Sequence, residues 1–83
     1  MPNDLLLMYC RQICGLLRNR IKGEVYVNGI NDKIVVEISW YDFQYSCTIN
    51  KVADMVHKGI SSECIGEWIC RNFKNVMLTE VFV

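Results

Sequence analysis

The chain has 83 residues, 52% of them apolar and 22% charged, with nine Lys and Arg balancing nine Asp and Glu. That length predicts one domain over residues 1–83, and the apolar fraction excludes a disordered chain. A net charge of zero argues against a strongly basic nucleic-acid or membrane-surface binder, and it leaves self-association open because long-range repulsion is small.

The first predicted element is a helix. Asn3 or Asp4 supplies an N-cap, and Leu5, Leu6, Met8, Tyr9, Ile13, Leu16 and Leu17 follow helical spacing. Arg18 and Arg20 stand in its last turn, where cations match the negative end of the helix dipole.

A three-stranded meander comes next. Glu24 to Val27 is rich in β formers, and Asn28-Gly29 reads as the hairpin turn, with Asn31-Asp32 extending the loop. The second strand runs from Lys33 to Trp40. Ile34, Val36, Ile38 and Trp40 alternate with Val35, Glu37, Ser39 and Tyr41. After a tight turn at Tyr41-Asp42, Phe43 to Ile49 alternates again. One sheet face is therefore apolar and the other wet, as an antiparallel sheet permits.

Two helices close the chain. Asn50 is the expected N-cap for Lys51 to Lys58, and Gly59 the residue that ends that helix. Ser61 or Ser62 caps the next, with Glu63 in its first turn. Ile65, Trp68, Ile69, Asn72, Phe73, Val76 and Met77 trace the stripe of a long helix from Ser62 to about Val81. A terminal strand from Val76 to Val83 is the competing reading, since that stretch is rich in β-branched and apolar residues. The predicted fold class is α+β: N-terminal helix, three-stranded antiparallel meander, short helix, long C-terminal helix.

The chemistry-bearing residues point away from catalysis. Cys10, Cys14, Cys47, Cys64 and Cys70 are an odd number. No basic segment precedes the short apolar run Leu5 to Cys10, and no apolar stretch reaches the ~18 residues of a membrane span. A cytoplasmic protein with reduced thiols and no membrane contact is expected. A Cys3His set can be drawn from Cys10, Cys14, His57 and Cys64, but without the close pairing of zinc sites. His57 is the only histidine, and nothing but helical spacing brings Asp54 near it. Phosphate-loop, dinucleotide-binding, metalloprotease and nucleophile-elbow patterns are missing. No enzyme activity, metal or cofactor is expected.

Two surfaces suit binding. Tyr26, Val35 and Tyr41 put apolar groups on the wet sheet face, and Phe82 lies in the apolar ending Val81-Phe82-Val83. The expected partner is a protein, of unknown identity, or a second copy in a homodimer. The alternative is nucleic acid, held by Arg11, Arg18, Arg20 and Lys22, a basic run with no acid between Asp4 and Glu24. There the cations would meet phosphates while Tyr26 and Tyr41 stack on bases.

The chain from Val25 onward also carries a run of structural motifs: Cys47-Thr48-Ile49 at a strand end, Gly59-Ile60-Ser61-Ser62-Glu63 at a helix break, and Phe73-Lys74-Asn75-Val76-Met77-Leu78 in the final helix. In these it resembles small uncharacterised proteins encoded in prophages and mobile elements of Gram-positive gut bacteria. The resemblance transfers no catalytic residue. It implies a long terminal helix rather than a strand, and an accessory protein that binds a host or phage macromolecule.

Overall fold

The apolar stripe of the first segment folds as α1 (Asn3–Arg20), which buries Leu6, Tyr9, Cys10, Ile13 and Leu17. These and the elements below come from a computed structural model that describes residues 3–81, with side chains through Leu78. Three strands follow, β1 (Glu24–Ile30), β2 (Lys33–Trp40) and β3 (Phe43–Ile49), then α2 (Val52–His57) and α3 (Ser62–Val81). The strands pair antiparallel in the order β1-β2-β3. The fold is thus α+β in the expected order. The last helix runs unbroken to Val81 in place of a terminal strand. Phe82 lies outside the described residues.

Register puts one complete side-chain set against the helices. The inner rows are Val25, Ile38 and Tyr45, then Val27, Val36 and Cys47, then Gly29, Ile34 and Ile49. Val25, Ile34, Val36 and Ile38 are buried with Ile13, Leu17, Val52, Ile65, Ile69 and Phe73 in one core. α1 lies along β1 and packs against α3, while α3 covers β3. Phe73 meets Phe43 and Tyr45 edge-on, with ring centroids 5.8 and 5.6 Å away.

The hairpin turn is not where Asn28-Gly29 suggested. β1 continues through both residues, which pair with Val35 and Ile34, and the two-residue turn is Asn31-Asp32. Both turn residues have positive φ, 48° and 61°, as a type I′ turn requires and as Asn and Asp tolerate. Gly29 serves a different purpose. A Cβ there would stand 2.7 Å from Leu6 Cγ and 2.9 Å from Cys10 Sγ, so its bare backbone lets α1 settle onto the strand.

The same turn supplies the cap of α2, correcting the expectation for Asn50. Lys51 occupies the N-cap position in a left-handed conformation with no side-chain cap bond. Instead Ala53 N–H donates to Asp32 Oδ1 at 2.7 Å, and Val52 N–H donates to the Asp32 carbonyl at 3.1 Å. At the other end Gly59, with φ of 80°, closes the helix by Ile60 N–H to Met55 O and Gly59 N–H to Val56 O, both 3.0 Å. Ser61 then caps α3, its hydroxyl accepting from Cys64 N–H at 3.1 Å.

The buried stripe of α3 is Ile65, Gly66, Ile69, Cys70 and Phe73. Trp68 and Val76, expected on it, are exposed. Trp68 sits about 100° round the helix from Ile69. Phe73 already reaches Phe43 at the end of the sheet, so Val76 and Leu78 project past it. Among the described residues no helix is long and apolar enough to cross a membrane.

Candidate partner-binding surface

The face of the sheet away from the helices carries three cross-strand rows: Glu24, Ser39 and Gln44; Tyr26, Glu37 and Ser46; Asn28, Val35 and Thr48. Tyr26 is exposed, and its hydroxyl donates to Glu24 Oε2 at 3.2 Å, holding the ring along the strand. Val35 is half-buried one row away, a diagonal neighbour of Tyr26. These two expected contact residues share a patch.

Tyr41 does not join them. It is the first residue of the β2–β3 turn, six residues from Val35, or about 20 Å along an extended strand. It is 88% exposed and its φ is 55°. Its ring meets Trp40 edge-on, centroids 5.0 Å apart and planes at 74°. Beneath the pair opens a hollow of about 660 Å³ lined by Lys22, Gly23, Glu24, Ser39, Trp40 and Tyr41. The structure thus gathers Lys22, from the basic run, and Tyr41, from the aromatic set, at one end of the sheet.

The other basic residues are dispersed. Arg18 reaches from α1 to β1, its Nη2 donating to the Val25 carbonyl at 3.2 Å. Arg20 pairs with Glu67 of α3 at 3.2 Å, with both side chains open to water, a contact worth ~0–1 kcal/mol. Arg11 is exposed on α1, two turns before Arg18 and on the same side of the helix. The four cations therefore do not form one phosphate-tracking groove.

A second hollow of about 320 Å³ lies between α2 and α3, walled by Met55, Ile60 and Ile65 with Trp68, Cys64 and Arg71 at its rim. Cys10 and Cys70 are buried, Cys14 and Cys47 half-buried, and Cys64 exposed, all as free thiols. Among the described residues, no three of His, Cys, Asp and Glu group as metal ligands would, and Cys10, Cys14, His57 and Cys64 do not come together. Burial raises the Cys10 and Cys47 thiols above their ordinary range. Burial, with the neighbouring Cys47 thiol, pushes the Tyr45 hydroxyl up to about 12. Tyr45 and Cys47 belong to the inner sheet face, and Cys10 to the buried side of α1.

Sequence reasoning missed two exposed apolar residues beside the sheet, Leu7 and Ile30. Leu7 falls off the α1 stripe, a signal that was readable. Ile30 was placed in a loop by the misassigned turn. No protein-family model matches the chain, and no curated protein or solved structure is significantly similar to it.

Proposed function

We propose that this chain is a non-catalytic binding or regulatory protein that works by protein–protein contact, with Tyr41 anchoring the partner. The observation that carries this reading is the conformation of Tyr41. A bulky L-residue with positive φ costs roughly 1–2 kcal/mol that Asn or Gly would largely avoid. The edge-on contact with Trp40 offsets part of that cost, about 0.5–1.5 kcal/mol, but the residue stays 88% exposed. Side chains held at a local cost without a full packing return mark functional positions, and tyrosines are enriched among residues that dominate interface energetics. Tyr26 and Val35 extend the contact surface along the outer sheet face.

The motif resemblance to prophage-encoded proteins supports an accessory role in a bacterial cytoplasm. Capture from host lysate by the intact chain, compared with a Tyr26→Ala/Tyr41→Ala double variant, tests the reading. A partner retained only by the intact chain is the expected result; identical captures contradict it. If the partner is a second copy, sedimentation becomes concentration-dependent and the double variant stays monomeric.

Nucleic-acid binding is the second reading, favoured by Lys22 lining the same hollow as Tyr41. It requires association with a single-stranded oligonucleotide at low salt that weakens steeply as salt rises. The protein-contact reading expects no such association.

A further inference from the structure

The edge of β1 is an open hydrogen-bonding surface. The Asn31-Asp32 turn closes on the pair Ile30–Lys33. In a two-residue hairpin that closing pair is hydrogen-bonded, so every second residue back along β1 also bonds to β2. Val25, Val27 and Gly29 then aim their N–H and C=O groups away from the sheet. The bond from Arg18 to the Val25 carbonyl bears this out, since it reaches that oxygen from outside. Among the described residues no strand pairs beyond β1.

α1 forms a wall beside this edge. Leu7 lines a notch with Gly29, and Arg18 touches Val25, so one flank of α1 follows the strand from end to end. Leu7, Arg11, Cys14 and Arg18 are spaced i, i+4, i+7 and i+11, which puts Arg11 and Cys14 on that flank between them. Lys22 is not part of this flank; it lies at the end of the sheet, beside Trp40 and Tyr41. Apolar side chains stand on both sides of the edge: Leu7 on the helix side, Tyr26 and Ile30 on the outer face, each about half exposed. The flank is thus basic and partly apolar, along a row of backbone groups that Arg18 caps only at its start.

We infer that the β1 edge accepts an extended, acidic segment of another protein as a fourth strand, pairing with Val27 and Gly29 while its carboxylates face Arg11 and Arg18. Main-chain bonds supply the affinity in such strand addition, and flanking side chains supply the choice. The cations favour acidic segments over basic ones. A second copy of β1 is a poor occupant, because it would set the basic flanks of two α1 helices against each other. The inference rests on the reading of the chain as a binding protein, but not on Tyr41.

The test uses the intact chain and a short peptide alternating Glu and Val, followed by amide hydrogen exchange. The peptide should slow exchange at Val27 and Gly29 at least tenfold. The same peptide with Lys for Glu, or N-methylated along one edge, should leave both unchanged. Arg11→Glu should weaken peptide binding severalfold at unchanged melting temperature. Val27→Pro should abolish it by removing an outward donor that β2 does not use. Unchanged exchange at saturating acidic peptide overturns the inference, as does equal binding of the Lys peptide. Binding of oligothymidylate but not peptide assigns the basic flank to nucleic acid and also overturns it. Tyr41→Asn should leave peptide binding intact, so failure of the Tyr41 contact and failure of the β1 edge are separately visible.

Discussion

At the scale of single residues, the backbone at Gly29 shows how a small side chain can set the spacing of two elements. It faces inward on β1 where Leu6 and Cys10 of α1 come closest. Gly29→Ala must push the helix away or distort both contacts, and overpacking of this kind costs about 1–3 kcal/mol. Urea unfolding should show that loss, and Cys10→Ala in the same background should recover part of it. Asn28-Gly29 has the composition of a hairpin turn, and that composition hid this role. A sequence shows that a glycine is present but not whether it is needed for φ or for clearance.

The elements are held in place partly by groups that lie far away in sequence. Asp32, in the hairpin turn, caps α2 with both its side-chain and backbone oxygens. Asp32→Ala loses the cap and places alanine at a φ of 61°, so a destabilisation of ~1–2 kcal/mol is expected. Asp32→Asn should cost less, since Asn tolerates that φ and keeps an acceptor oxygen. Chemical denaturation of the pair checks both. This explains why the α2 cap was not legible. Asn50 is next to the helix in sequence and has the right chemistry, but a residue about twenty positions earlier was better placed in space. The strands and α3 were legible because their signals are local: strict alternation from Lys33 to Ile49, and Ile65, Ile69 and Phe73 on one helical face. The exposed Trp68 was misread because the limits of a helix stripe depend on what packs beside it.

The inner face of β3 and the buried side of α1 also give the fold a pH dependence. Burial raises the Cys10 and Cys47 thiols above 9.0, and it raises Tyr45 from 10.0 to about 12. These groups are neutral when protonated, so the unfolded chain loses their protons first as pH rises. The stability these three groups contribute should be constant below about pH 9 and then fall through the interval up to 12. Tyr45→Phe should flatten the upper part of that fall in a pH series of thermal unfolding.

At the scale of the whole molecule, helices cover one face of the sheet and leave the other face open, and among the described residues no strand pairs beyond β1 or β3. The sequence identified Tyr26, Val35 and Tyr41 as residues outside the core, which the structure agrees with. It could not show that Tyr41 stands beside Lys22. Alternation reports which face a residue takes, and the position of a turn decides what lies next to it. Arg18 and Arg20 read in the sequence as cations matched to the dipole of the first helix, and in the fold each also bonds a neighbouring element.

The central claim is that Tyr41 is kept at the turn for a partner and not for the fold. Tyr41→Asn, measured for thermal unfolding and for capture of the partner by the same preparation, tests it most directly. The account predicts an unchanged or raised melting temperature together with lost capture. A lowered melting temperature, or full capture by the folded variant, would contradict it.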